Sequence, residues 1–331
     1  MERNNKLKIG RWAAVLFFLS VLFFAGCSDE DTATGNGTGT NAIAFDCSTS
    51  SLRAAKTTID DMQYFRVSAL WNKGDGVYYS FMDNQLVEKQ GNSWVYSPIK
   101  YWPGYGSVSF FAYTPAISSG LDVLHIENDI NQVSIEYTVS TNHQEQEDFM
   151  VATSLDKTAN PIQLDFKHAL SVVNFQACSN NPGVEYRIKK ITLVGLCNQG
   201  ILTGIDNEAT SIWSWYGQSG TRDYTVYQKY PIETDGSTYR EIGSLMVLPQ
   251  PQEPDVADFN ITVNYDMIEG TSVTTGEDSY TLPDFVFQMG KRYTFYLDLS
   301  APSSPSPSQK RSVGTASAEI KWRIVSELNE E

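Results

Sequence analysis

Side chains able to do chemistry are few in this 331-residue chain, and they are poorly grouped. There are three histidines. They are His125, His143, which lies in the polar stretch STNHQEQED, and His168, which stands beside a strand in DFKHALSVV, where packing or a hydrogen bond accounts for it better than catalysis does. No GxSxG, GxxxxGK[ST], HExxH or EF-hand spacing occurs. The cysteines lack the CxxC or Cys/His spacing of a zinc site. The 39 Asp and Glu residues could hold a glycosidase pair, because two carboxylates need no fixed spacing, yet no compact constellation marks one. The expectation is a protein that is not an enzyme, with no catalytic residue, no metal and no cofactor.

Cys27 is set apart by its surroundings. Arg3, Lys6, Lys8 and Arg11 precede an apolar run of 15 residues, Trp12 to Gly26, which is shorter than a spanning helix needs. A basic start, a short apolar centre and the small pair Ala25-Gly26 read as an export signal. The stretch FAGC resembles the lipobox of bacterial lipoproteins, in which the signal is cut before the cysteine and the thiol is acylated; Phe24 stands where that motif usually has Leu. One acyl chain anchors only marginally, so the several chains such a cysteine carries (palmitate among them) would make the anchor stable. The resemblance implies lipid attachment at Cys27. Asp29, Glu30 and Asp31 resemble the signal that sends some lipoproteins of Gram-negative anaerobes to the outer face of the outer membrane. Export also permits a disulfide. Of Cys47, Cys178 and Cys197, one must stay unpaired, and a Cys178–Cys197 bridge and two free thiols both fit the sequence.

The elements that would position these residues are strands. DFNITVNYDM and KRYTFYLDLS alternate apolar and polar residues, and SVSFFAY, VSIEYTV, SVVNFQA, YRIKKITLVG and DYTVYQKY read likewise. No stretch of helical period follows the export signal. Tyr 18, Phe 16 and Trp 7 enrich the chain in residues that favour strands. The formal net charge is −15; the first 26 residues carry +3 (Glu2 against Arg3, Lys6, Lys8 and Arg11), so the remainder carries −18. A body that acidic repels phosphate backbones, which argues against nucleic acid as a partner.

The predicted organisation is an all-β chain with two tandem sandwiches. Residues 1–26 form the signal and 27–40 a flexible tether. The turn formers Asp156–Pro161 suggest a break between an N-terminal β-sandwich, 41–159, and a C-terminal one, 160–300. Residues 301–317 are a Pro/Ser spacer, extended and semi-rigid. The terminal strand and tail occupy 318–331, with Ala318, Ile320, Trp322 and Ile324 on one face and Glu319, Lys321 and Arg323 on the other. A strand this apolar needs a groove, on its own sheet or in another molecule. The aromatic clusters WVYSPIKYWPGYG and SIWSWYG could stack on sugars. Core packing is the reading favoured for Trp94, Trp102, Trp213 and Trp215.

AIAF, LRAAKTT, FRVSALW, YWPGYGSVSFFAYTP, FKHALSVVNFQA, RYTFYLDL and a terminal IKW follow the lipobox in that order. This series resembles the fimbrillin-like lipoproteins that build type V pili of Gram-negative anaerobes. The resemblance implies two tandem transthyretin-like β-sandwiches and a structural or adhesive role in a fimbrium at the cell surface. It also implies an arginine-specific protease that cuts after an arginine and releases the first strand, whose groove then takes a strand from another fimbrillin subunit. Carried onto this chain, the displaced strand is NAIAFDCST with Ile43, Phe45 and Cys47 facing in. Processing falls at Arg53, Arg66 being a poorer site inside a strand, and the donor strand presents Ala318, Ile320, Trp322 and Ile324. The spacer favours a polymerising subunit, whereas a terminal strand folded back on its own sheet would favour a tip or anchor position. Partners would include a host or bacterial surface receptor or glycan. The alternative is a surface glycan-binding lipoprotein that stays anchored through Cys27 and uses Trp102.

Overall fold

Alternation decides the strands. Ile162, Leu164, Phe166 and His168 are buried, while Gln163, Asp165 and Lys167 between them face solvent. Phe259, Ile261, Val263 and Tyr265 follow the same rule over Asn260, Thr262 and Asn264. Period two in β-branched and aromatic residues is the pattern of a strand with one face on a core. The structure is a computed structural model and describes residues 41–49, 58–116, 125–126, 133–179, 183–207, 210–234, 238–250, 259–282, 285–300 and 319–327.

Nineteen strands and no helix occur among the described residues. The first nine are β1 (Phe45–Thr49), β2 (Tyr64–Asn72), β3 (Tyr78–Gln90), β4 (Ser93–Val95), β5 (Ser107–Thr114), β6 (His125–Ile126), β7 (Val133–Thr138), β8 (Met150–Lys157) and β9 (Ile162–His168). The rest are β10 (Ser171–Ser179), β11 (Val184–Leu196), β12 (Gln199–Asn207), β13 (Thr210–Ser219), β14 (Arg222–Thr234), β15 (Arg240–Val247), β16 (Phe259–Glu269), β17 (Ser272–Leu282), β18 (Arg292–Ser300) and β19 (Glu319–Glu327).

A seven-stranded sheet has the order β1-β9-β8-β5-β2-β3-β4. Three four-stranded sheets have the orders β15-β10-β18-β19, β14-β11-β16-β17 and β13-β12-β7-β6. The chain is therefore all-β, as the alternation predicts. Two cores form. The smaller gathers Ile43, Phe45, Phe65, Phe110, Ile162 and Phe166 on one face of the seven-stranded sheet. The larger takes Phe111 and Tyr113 from the other face of that sheet, with Tyr137, Phe149 and the inward residues of β10, β11, β16 and β18. Strand β5 thus buries both faces, Phe110 and Ala112 to one core and Phe111 and Tyr113 to the other, which is why SVSFFAYT is apolar without a break.

The break expected between residues 159 and 160 has to be moved. Asp156–Pro161 is the connection inside a β8–β9 pair, joined antiparallel at Met150↔His168 and Val151↔Lys167, so the first sheet runs on to His168. Strand β7, expected in the N-terminal sandwich, instead pairs with β12. Turn formers mark a hairpin and a linker alike. Only pairing between distant residues separates the two.

Candidate functional site

Strand β1 is one edge of the seven-stranded sheet. Among the described residues only β9 pairs with it there, in parallel, from Phe45↔Ile162 to Thr49↔Phe166. Phe45 lies in a cage of rings, with centroids 5.6 Å from Phe65, 5.6 Å from Tyr96 and 5.9 Å from Phe110. Ile43 is buried beside it, and Cys47 is half-buried against the same core. Ile43, Phe45 and Cys47 thus share the face turned toward the smaller core.

Just before β1 the chain crosses to residues 100–102. The Ile43 amide donates to the Lys100 carbonyl at 2.9 Å, and the Trp102 amide donates to the Asn41 carbonyl at 2.8 Å. The Ile162 amide donates to the Ala44 carbonyl at 2.9 Å. Sequence reasoning missed Asn160, whose side chain ties these pieces together. Its Oδ1 accepts from the Ala44 amide and from Trp102 Nε1, each at 2.9 Å, and its Nδ2 donates to the Ala42 carbonyl at 2.5 Å. The Asn-Pro pair was legible only as a turn. The Tyr96 hydroxyl donates to the Ile43 carbonyl at 3.0 Å, and burial pushes it up to about 12. Burial and the neighbouring Asp46 carboxylate likewise push the Cys47 thiol up, so the thiol stays protonated and unreactive near neutrality.

Loss of β1 would leave the outer edge of β9 unpaired and uncover Phe65 and Phe110. A bare edge is a template for another strand. Each large apolar side chain returned to water costs roughly 1.5–3 kcal/mol. The site is therefore a seat that a strand of matching pattern can occupy.

At the other end of the chain, β19 is an edge strand of a different sheet. It pairs antiparallel with β18 over nine residues, from Arg292↔Glu327 to Ser300↔Glu319. Trp322 and Ile324 are half-buried against the larger core, and Trp322 stacks on Tyr280 with centroids 5.2 Å apart and planes 15° off parallel. Arg323 lies on the opposite face, 4.0 Å from the Tyr296 ring centroid and 5.7 Å from that of Tyr239. The terminal strand thus rests on its own sheet. The two sets of candidate residues are not brought together, since β1 and β19 belong to different sheets.

A comparison with known families decides what kind of chain this is. The profile of the fimbrillin-like family matches residues 53–321. The chain belongs to the fimbrillin-like family. It is similar to the fimbrium subunit Fim1C of Phocaeicola vulgatus, 22% identical over 350 aligned positions that cover 86% of this chain and 92% of that protein. Among solved structures it is similar to a candidate cell adhesion protein from Bacteroides uniformis, at 14% identity and a TM-score of 0.47, covering 86% of this chain and 98% of the other. It is also similar to the fimbrial anchor protein Mfa2 from Porphyromonas gingivalis, at 12% identity and a TM-score of 0.36, covering 86% and 97%.

Other expectations for this fimbrillin-like chain resolve as follows. Cys27, Arg53 and Ala318 lie outside the described residues, as do the signal, the tether and the spacer; Ile320 pairs with Leu299 through its backbone. Arg66 is tied down within β2, its guanidinium donating to the carbonyls of Ala116 at 2.7 Å and Asn84 at 2.9 Å. Cys178 and Cys197 are free thiols, which settles the open choice between bridge and thiols. The Cys178 thiol is pushed up to about 11 by burial and by the Asp298 carboxylate to which it donates at 3.0 Å. His168 is buried, with Nδ1 3.0 Å from the Asp148 carboxylate. Trp213 and Trp215 are buried, and Trp94 packs its ring 5.1 Å from Phe65. Trp102 is only 8% exposed, so it is not available to stack on a sugar, and the anchored glycan binder loses the residue it was built on.

Proposed function

We propose that this chain is a structural or adhesive fimbrial subunit, exported to the outer membrane as a lipoprotein through Cys27 and assembled at the cell surface by strand exchange. An arginine-specific protease cuts after Arg53, residues 27–53 depart with the lipid, and the vacated seat takes a strand from another fimbrillin subunit. The observation that carries the reading is the place of β1. It is an edge strand with Ile43, Phe45 and Cys47 turned inward, and it lies a few residues before Arg53. An edge strand can leave without splitting a sheet.

The donor would be β19, which matches the seat by alternation and is itself an edge strand. To donate, it must exchange a nine-residue antiparallel ladder on β18 for a seat that β1 fills with a five-residue parallel ladder on β9. The backbone pairing does not favour that exchange, so deeper side-chain burial in the new seat has to drive it. Its resting position on β18 favours a tip or anchor place, and the spacer favours a polymerising one.

The test treats the full chain with an arginine-specific protease and follows assembly on gels and by size exclusion. A ladder of polymers marks a polymerising subunit. Capture of a synthetic peptide of residues 318–327 without a ladder marks an end subunit. The reading fails if neither appears, or if the Arg53→Ala chain behaves as the cut chain does.

A further inference from the structure

At the turn joining β2 to β3, aromatic rings stand out from the body of the protein. Tyr105 is 59% exposed, Val77 48% and Tyr79 36%. Trp71 is half-buried, with one side on the smaller core. Its ring lies 5.2 Å from that of Tyr105, and its Nε1 donates to the Tyr105 carbonyl at 3.0 Å. The loop carrying Tyr105 is held tightly. Gly106 has φ +76°, and a Cβ there would come within 2.1 Å of the Asn72 carbonyl oxygen, so only glycine lets the loop lie this close. The turn is also fixed from within, since the Gly74 amide donates to Asn72 Oδ1 at 2.8 Å and the Val77 amide to Asp75 Oδ1 at 3.0 Å. These rings are held in place, not left loose on the surface.

Lys73 sits among them. Its Nζ lies 3.7 Å from the Tyr79 ring centroid and 4.8 Å from that of Trp71. Among the described residues, no carboxylate pairs with it. The nearby Asp75 carboxylate is engaged by the Tyr79 hydroxyl at 3.3 Å and by the Val77 amide. In a chain of net charge −15, this ammonium is held in place over two rings and is open to an anion from solution.

We propose that Trp71, Lys73, Tyr79 and Tyr105 form a binding surface for a saccharide that carries a carboxylate. Tyr105, the most exposed of these rings, offers a flat apolar face to the C–H face of a sugar ring, and the Lys73 ammonium, seated over Tyr79 and Trp71, answers the carboxylate. Neither half suffices alone. An apolar peptide would leave the ammonium unpaired, and a polyanion such as nucleic acid is repelled by the rest of the chain. One sugar ring with one carboxylate meets both demands. The surface lies at the ends of β2 and β5 marked by Asn72 and Ser107, opposite the ends at Tyr64 and Thr114, and strand exchange at β1 does not use it.

The test uses the uncut full chain, so its result is independent of strand exchange. Saturation-transfer NMR is recorded with cellobiouronic acid and with its neutral counterpart, cellobiose. The acidic disaccharide is expected to show transfer at its ring protons and to bind about fivefold more tightly than the neutral one, the range of an exposed cation–π and charge contact. Tyr105→Ala and Lys73→Gln should each weaken binding by about fivefold, while Tyr105→Phe keeps it. Both residues are surface positions, and an unchanged melting curve verifies that each variant folds. No transfer, equal binding of the two sugars, or unchanged binding in the folded variants overturns the proposal.

Discussion

Around β1, burial keeps two groups neutral to higher pH than usual, and this gives the seat a pH dependence. Burial pushes the Cys47 thiol up from 9.0, with the Asp46 carboxylate adding to the rise and Lys89 opposing it. Burial pushes the Tyr96 hydroxyl from 10.0 up to about 12, against the lowering effect of its hydrogen bond with Lys100. Once β1 leaves, both groups release their protons nearer their ordinary values. The detached state then binds fewer protons than the seated one, so the seat weakens as pH rises. This contribution is whole below about pH 9, and the Tyr96 share fades between 10.0 and about 12. Loss of residues 27–53 from a chain nicked after Arg53 should therefore be faster near pH 10.5 than near pH 7.5, as followed by size exclusion. Cys47→Ala should flatten part of that rise, whereas a rate independent of pH would show that the two buried groups do not govern the seat. The inward role of Ile43, Phe45 and Cys47 was legible from alternation. The role of Asn160 was not, because its three partners in residues 42, 44 and 102 are joined only by the fold.

Strands were legible one by one because alternation is local, but their partners were not. The Ser48–Asp165 contact spans 117 residues, and no local pattern announces it. The same gap in the reading placed a domain break within the β8–β9 connection. Pairing in turn sets how firmly each edge is held. Strand β1 has a five-residue parallel ladder, and Phe45, only 7% exposed, is caged by three rings. Strand β19 has a nine-residue antiparallel ladder but lays Trp322 and Ile324 only half-buried on its core. Phe45→Ala should cost about 3 kcal/mol, since it empties a ring cage, and Trp322→Ala about 1–2 kcal/mol, since its site opens to water. Hydrogen exchange separates the two effects. Phe45→Ala should speed exchange at β9 amides and spare β18, and Trp322→Ala should do the reverse. If either change loosened both strands equally, the two edges would not be independent elements.

Charge acts on the molecule as a whole. Residues 27–53 carry −3 (Asp29, Glu30, Asp31 and Asp46 against Arg53), so the proposed processing would turn a −18 body into a −15 subunit. Two such subunits would repel one another before any strand could find a seat. The seat itself is lined by Phe65, Phe110, Ile162, Leu164 and Phe166, none of which responds to salt through charge. Salt should therefore change the approach of subunits and leave the apolar exchange largely alone. The screening length is about 30 Å at 0.01 M and about 10 Å at 0.1 M, so repulsion between like-charged subunits weakens sharply across that range. The ladder formed by protease-cut chain should grow about tenfold faster at roughly 200 mM than at roughly 20 mM salt, as read from gel band intensities over time. The rate at which residues 27–53 leave the nicked chain should change little over the same range, because departure of one apolar strand does not bring two acidic bodies together. A ladder that slows with salt would mean that complementary charges, not an apolar seat, draw the subunits into register, and the place of β1 at the sheet edge would then have to serve some purpose other than assembly.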